Sequence, residues 1–515
     1  MEKIVITKNN DWKIMIVLLL PIVLFAQGEN WVYRCNGPWN AKDEAFSLVF
    51  GADSNIYTAG YSNRSNGFRD FTVISLTPVG STNWIYKYHG TGATNIARDI
   101  VYGTDGNIYV AGYSDNVGSE WAFTVISLTV TGDTNWIYKY DGPGQDKAFS
   151  IAYGGDSNIY VAGSIWGIGT GLDFAVISLT TTGDTNWVYR YNGMGYDWDQ
   201  AFSLVYGADG NIYAAGSSGG TNQDFIVISL TTTGNTNWVY RYNDTGGIYE
   251  CARSIVYGAD GNIYAAGATS IGDIAENTYF TVVSLTTAGD TNWIYRYSGT
   301  GNGTNRAYSI VYGADGNIYA AGSSNQLFNS DDFTVISLTT TGNTNWIYCY
   351  DDLYGSFDEA YSLDYGTDGN IYAAGYSTNS GTGYDFMVIS LTTAGDTNWV
   401  YQYNGRRDSA DIANSIVCGG DGNVYAAGYS TGSRTSLDYT VISLTPDFCV
   451  KEGEIIKAKN FHGPTIFSGP LILPKDKQCK VFDITGRAVI PDRIRPGVYF
   501  IQVDGIIIQK VVKVK

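Results

Sequence analysis

Ala201-Phe-Ser-Leu-Val-Tyr206, Gly207-Ala-Asp-Gly-Asn211, Ile212-Tyr-Ala-Ala-Gly216, Asp224-Phe-Ile-Val-Ile-Ser-Leu230, Thr231-Thr-Thr-Gly-Asn235 and Asn237-Trp-Val-Tyr-Arg-Tyr242 follow one another within residues 201–242. Four β-type runs are separated by two tight turns and one loop, and none of them carries a helical period, so the stretch reads as four antiparallel strands. Asp209-Gly210 between two such runs is a hairpin signal, with positive φ expected at both turn positions.

The same unit, about fifty residues long, recurs from Asn30 to Leu444 with Trp31, Trp84, Trp136, Trp187, Trp238, Trp293, Trp346 and Trp399 as landmarks. Eight four-stranded units with no helix predict an all-β fold, an eight-bladed β-propeller over residues 28–445. Blades lie close near the axis and splay at the rim. The small residues Ala201 and Ser203 therefore place the first strand innermost, and Trp238, Tyr240 and Tyr242 place the last outermost. The array opens on an outer strand, Asn30-Trp-Val-Tyr-Arg34, and ends on Asp438-Tyr-Thr-Val-Ile-Ser-Leu444 without an Asn-Trp of its own. The two ends are expected to complete one blade and close the ring without a free edge.

The chain of 515 residues has 63 Gly, 42 Tyr and 13 Trp, which suits tight turns and broad aromatic packing. Net charge is −18, but residues 451–515 are net +6 and residues 1–27 net +1, leaving −25 on residues 28–450. So acidic a body repels nucleic acid and anionic lipid. Lys3, Lys8 and Lys13 before the apolar run Ile14–Phe25, with Ala26 after it, read as an export signal over residues 1–26, too short for a stable membrane span. The mature protein is expected outside the cytoplasm, secreted or on the outer cell surface. The six cysteines ignore the repeat, and Cys35, Cys349 and Cys418 replace recurrent residues, so free thiols are expected. Cys449 and Cys479 are the one pair that could join tail to body.

The units resemble the secreted bacterial β-propeller (SBBP) repeat family at Asp358-Glu-Ala-Tyr-Ser, Asp368-Gly-Asn-Ile-Tyr-Ala-Ala-Gly and Asp385-Phe-Met-Val-Ile-Ser-Leu; the Gly-His and Trp-Asp signatures of WD40 repeats are absent. The resemblance implies a propeller and no particular activity. Residues 446–470 read as a linker. In residues 471–515, Val481-Phe-Asp-Ile-Thr-Gly-Arg487, Arg495-Pro-Gly-Val-Tyr-Phe500 and the ending Lys510-Val-Val-Lys513 resemble the type A C-terminal sorting domain of type IX secretion. That implies a small β-sandwich-like module that engages the secretion machinery. The usual Asn-Pro opening is missing, with Ser468-Gly-Pro470 in its place. The alternative is a β-module that caps or docks on the propeller.

Two residues before the Ala of each inner strand stands an acid or its amide: Asp43, Asn95, Asp146, Asp199, Glu250, Asn305, Asp358 and Asp411. In a closed ring these surround one mouth of the channel. They either hold a cation or polar ligand, with calcium the one ion to consider and no other cofactor expected, or accept backbone N–H bonds where loop meets strand. Recurrence in every unit favours the local role. A second acid precedes Phe or Tyr on the third strand at Asp70, Asp173, Asp224, Asp332, Asp385 and Asp438, where a hydrogen bond inside the blade is expected.

The second-to-third and fourth-to-first links vary and emerge on one face. They carry Trp39, Arg64, Arg69, Trp121, Trp166, Trp198, Arg406 and Arg407, the candidate contacts for an extracellular protein or a glycan. With only His89 and His462, no imidazole pair or metal triad is expected, and a non-catalytic binding or scaffold role leads. The alternative is a secreted carbohydrate-active enzyme, a glycoside hydrolase or lyase, using loop carboxylates such as Asp197 and Asp199.

Overall fold

The computed structural model describes residues 28–446, apart from 38, 65–66, 116–119, 194–196, 220–221, 244–248, 272–273, 302, 327–330, 351–356, 380–382, 406–408 and 433–435. Beyond these it describes residues 4–6 and 13–15 and the strand segments 466–467, 479–483, 488–489, 497–503 and 506–513. The chain divides into two compact units, Met1–Asp447 and Phe448–Lys515.

The first unit is an eight-bladed β-propeller. In the fourth blade Gln200–Tyr206, Ile212–Ser218, Asp224–Leu230 and Thr236–Tyr242 pair antiparallel in chain order. The first strands of successive blades pack on one another around the axis, and Ile412–Cys418 of the last packs on Asp43–Phe50 of the first. In the closing blade Glu29–Cys35 is the outer strand, with Val32 opposite Ile442 and Cys35 opposite Tyr439. Strand order and closure agree with the reading from side-chain size.

Each inner strand bulges after its Ala, so that Ala201 faces Gly216, Ser203 faces Ala215, and Phe202 is left unpaired. A Cβ on Gly216 would lie 1.8 Å from the Gln200 carbonyl oxygen, so only glycine lets the second strand approach the bulge.

Blades are locked by aromatic residues. Tyr213 is fully buried and packs on Trp238 of its own blade and Tyr257 of the next, with centroids 5.9 and 5.8 Å apart. The indole N–H of Trp238 donates to the Thr287 carbonyl in the next blade's third-to-fourth turn at 2.8 Å. Trp31, Trp84, Trp136, Trp187, Trp293 and Trp346 repeat the bond at 2.8 Å. That turn needs Gly twice over: Gly289 has φ +90°, and a Cβ there would meet Trp238 at 2.8 Å. Trp399 faces the blade whose third and fourth strands come from opposite ends of the chain, where no such covalent turn exists.

The first hairpin differs from the expected primed turn. Gly210 donates to the Gly207 carbonyl and Gly207 to that of Asn211, and only Gly210 has positive φ, +81°. This is a type I turn closed by one left-handed residue. Ser54 and Ser157 occupy that position in two blades at φ 65° and 63°. Ser54→Gly and Ser157→Gly should each stabilise the ring by about 1 kcal/mol by removing left-handed strain. Thermal unfolding checks this, and an unchanged or lower Tm in both variants would contradict it.

The described strands of the second unit form one five-stranded sheet, in the order Ile466–Phe467, Ile506–Lys513, Gly497–Val503, Cys479–Asp483, Ala488–Val489, with the first pair parallel. Its first strand lies within the stretch read as linker. Near the N-terminus Ile4–Ile6 pairs antiparallel with Lys13–Met15, a ladder the export-signal reading did not anticipate. No helix among the described residues is long and apolar enough to cross a membrane.

Candidate functional site

The recurrent acids do not point into the channel. All eight ring positions are buried, at most 1% exposed. Asp199 accepts the Gly193 N–H of its fourth-to-first loop at 2.8 Å and the Gly219 N–H after its second strand at 3.0 Å. Asp43 takes Gly37 and Asn63, Asp146 takes Gly142 and Trp166, and Asp411 takes Gly405 and Thr431 in the same way. Asp358 accepts from Thr378 at 2.8 Å. Asn305 accepts the Asn325 N–H at 2.9 Å in the same way and also donates its amide to the Thr278 and Gly303 carbonyls, and Asn95 donates its amide to the Arg69 and His89 carbonyls.

The main chain of the ring completes a staple to the blade before. Asp146, Asp199, Glu250, Asp358 and Asp411 donate their own N–H to the carbonyls of Trp121, Leu172, Gln223, Asp331 and Tyr384, at 2.6–2.9 Å. Asp146, Asp199 and Asp411 thus each tie together three loop segments at the base of the variable face. Desolvation raises the pKa of Asp43, Asp199 and Asp411 and pushes Asp146 up to about 6, against the backbone N–H bonds that favour the charged form.

The second recurrent acids make cross-strand pairs inside the blade. Asp173 pairs with Arg190, Asp224 with Arg241, and Asp438 with Arg34 of the closing strand. Asp70 holds Arg64 at 3.1 Å and His89 at 2.9 Å. In the Asp-Gly-Asn hairpins Asp209 accepts the Asn211 N–H and side-chain amide and the Tyr213 hydroxyl, leaving the carboxylate committed to the turn. Burial raises the pKa of Asp209, but these hydrogen bonds outweigh it and lower it overall. Among the described residues no three His, Cys, Asp or Glu side chains converge as metal ligands. Cys35, Cys251, Cys349 and Cys418 are free thiols; Cys449 and the side chain of Cys479 lie outside the described residues.

The loop candidates fall into distinct environments. Trp39 and Trp198 are 62% and 60% exposed on the variable face. Trp198 belongs to a short strand pairing parallel with Gly171–Leu172. Trp121 is half-buried against Tyr113, centroids 5.2 Å apart, with the Lys147 ammonium 4.2 Å over its ring. Trp166 is also half-buried, so close to Gly144 that a Cβ there would lie 2.4 Å from the indole. Arg64 is a loop clip, donating to the His89 and Gly92 carbonyls at 3.1 Å. Arg69 stacks 4.7 Å over Tyr61. Arg406, Arg407 and the side chain of Asp197 lie outside the described residues.

A cavity of about 370 Å³ at the channel mouth is lined by Glu44, Phe46, Arg98, Tyr361, Ile412, Asn414 and Tyr429, from the seventh, eighth, first and second blades. Several of these residues stand at or beside the inner-strand bulges, and their chemistry differs from blade to blade. Tyr376, Tyr429, Tyr61 and Tyr113 form an arc at one position of the second strand in four consecutive blades, whereas the other four have Ser164, Ser217, Ala268 and Ser323. This break in the repeat is visible in the sequence as Gly-Tyr-Ser against Gly-Ser or Gly-Ala, and attention to the loops alone passes over it.

Burial raises the pKa of Glu44 although its carboxylate accepts from the Tyr61 hydroxyl at 3.1 Å and the Asn414 amide at 3.2 Å. The opposite mouth is a wide, glycine-rich surface, with depressions of about 660 and 830 Å³ edged by Tyr102, Tyr257, Tyr312 and Tyr365.

No family model and no curated protein matches the sequence. Solved structures similar in fold include Sqt1 from Chaetomium thermophilum, at 10% identity and TM-score 0.41, covering 64% of this chain and 80% of that one. The WD40 domain of SCAP from fission yeast has 7% identity and TM-score 0.42, covering 80% and 98%. The Pan2 WD40 domain of Neurospora crassa has 9% identity and TM-score 0.39, covering 68% and 89%. At such identities the likeness concerns the fold alone.

Proposed function

We propose that this is a secreted or cell-surface, non-catalytic binding or scaffold propeller that holds an extracellular protein or glycan on its variable-loop face. The observation that carries the reading is the contrast between that face, with Trp39 and Trp198 exposed and a cavity at the channel mouth, and the repeated turns, whose polar groups are used internally. Export rests on the N-terminal pattern Lys3 to Ala26, and delivery by type IX secretion on the resemblance of residues 471–515 to its sorting domain. Truncation after Pro446 should then trap a folded propeller in the cell envelope; unchanged release would refute sorting.

A carbohydrate-active enzyme using loop carboxylates is the second reading. Asp199, one of its two acids, is buried with both oxygens on backbone N–H groups, a geometry that favours binding over catalysis. Trp39→Ala and Trp198→Ala should leave Tm nearly unchanged, and where either is an anchor it should weaken ligand binding by about 1 kcal/mol or more. Glycan-array and protein-capture signals on the full chain check this, and turnover of a saccharide abolished by losing one acidic pair would restore the enzyme.

A further inference from the structure

Three cations on the variable-loop side make no ion pair among the described residues. Arg69 lies over Tyr61 at 4.7 Å, Arg98 over Phe46 at 4.3 Å, and Lys147 over Trp121 and Tyr113 at 4.2 and 5.7 Å. They come from the first three blades of a body whose net charge is −25, where an unpaired cation would readily find a carboxylate. The neighbouring pattern is different: Arg34, Arg64, Arg190 and Arg241 are all paired with aspartates. Arg253 and Arg306, at the positions of Arg98 and Lys147 in the fifth and sixth blades, also lie over aromatic rings, Phe202 at 4.8 Å and Tyr249 at 5.9 Å, but Arg253 has a neutral partner in the Tyr249 hydroxyl at 2.8 Å.

Arg98 and Lys147 are half-buried, and they repel each other: burial, then the Arg98 charge, lowers the pKa of Lys147. Keeping like charges together in a partly dry site is unfavourable; Glu44 offsets part of the charge of Arg98 and Arg69, whereas the one charge that acts on Lys147 is that of Arg98, so an added anion would be favoured there. Aromatic faces cover one side of each cation and strip part of its hydration, which strengthens a charge-assisted bond on the open side.

Arg98 also lines the mouth cavity, whose remaining groups fit a polyhydroxylated ring. The Asn414 amide, the Tyr361 and Tyr429 hydroxyls and Glu44 can exchange hydrogen bonds with sugar hydroxyls, and Phe46 supplies an apolar face. Glu44 beside the cations, and the acidic body around them, disfavour multiply charged phosphate, sulfate or nucleic acid and leave room for one negative charge.

We propose that Arg98 and Lys147, with Arg69 beside them, form the carboxylate-binding end of a saccharide site that continues into the channel-mouth cavity, its ligand a sugar carrying a single carboxylate such as a terminal hexuronate. This rests on the variable-face reading and narrows it from protein or glycan to acidic saccharide.

Ligand-observed NMR titration of the full chain with methyl glucuronide, methyl glucoside, inorganic phosphate and N-acetylglutamate amide tests it. Methyl glucuronide should bind at least tenfold more tightly than the other three. Arg98→Gln and Lys147→Gln should each weaken it tenfold or more with Tm unchanged, and Arg98→Lys should retain part of the affinity. Absent binding, equal binding of the neutral glucoside, or binding that survives both Gln variants would overturn the site. Phosphate or the acetylglutamate amide matching the glucuronide would overturn its assignment to a saccharide. If glucuronide fails while another ligand is lost on Trp39→Ala or Trp198→Ala, the variable-face reading stands and this site falls. If every bound ligand ignores all of these substitutions, both fall.

Discussion

Deleting residues 28–36 should destabilise the propeller by more than about 5 kcal/mol, beyond the range of ordinary point substitutions. The loss is large because the strand Glu29–Cys35 closes the ring. Without it the backbone of Tyr439–Leu444 becomes an unpaired edge, and the cluster of Tyr439, Val441, Tyr425 and Leu48 loses the cover of Trp31 and Tyr33. The seam also loses the Trp31 bond to Pro78, the Glu29 carboxylate that accepts the Tyr401 hydroxyl at 2.6 Å, and the Arg34–Asp438 pair. Trp399 has no covalent third-to-fourth turn opposite it to compensate. Urea unfolding should show a much lower midpoint, and light scattering should show edge-to-edge association. A variant as stable and monomeric as the intact chain would refute closure through the termini.

The second large effect is expected at the ring staples. Asp199→Ala strips the buried Gly219 N–H and the half-buried Gly193 N–H of their acceptor and should cost about 2–4 kcal/mol. Asp199→Asn should cost less, since Asn95 and Asn305 fill the same place in two other blades. The damage should appear as faster hydrogen exchange in the adjoining loops, with the outer strands unaffected; uniform exchange across the blade would mean that the acid does not act as a loop staple.

The same burial gives a pH dependence of definite sign. Asp146, with its folded pKa near 6 and an unfolded value near the ordinary one of about 3.9, binds a proton more readily in the native state. Its contribution is full below the unfolded value and lost as pH rises through about 6. Stability should therefore increase between pH 7 and pH 5, and Asp146→Asn should flatten that rise. A rise of the same size in the variant would assign it to other groups.

The repeat made the architecture legible because each landmark answers a steric demand that recurs in every copy. Small inner strands, aromatic outer strands and the split Asn-Trp blade fix strand order and closure. The hairpin type is not legible in the sequence because Asp-Gly is compatible with more than one turn, and in the backbone Gly210 alone has positive φ. The site was less legible. Exposure separates Trp39 and Trp198 from Trp121 and Trp166, yet all four stand in variable loops. Arg64 looked like a free anchor but is tied by Asp70 and two carbonyls. Arg98 and the tyrosine arc are hard to read from sequence because they lie on strands of constant length, where only their chemistry varies.

The most direct test of a binding ring that works through its variable-loop face is a glycan array probed with the full chain and with a Trp39→Ala, Trp198→Ala double variant, each with and without calcium. The account predicts saccharide signals that fall tenfold or more in the double variant or, for acidic saccharides, in Arg98→Gln, while Tm is unchanged. Signals of undiminished strength from both variants would contradict it.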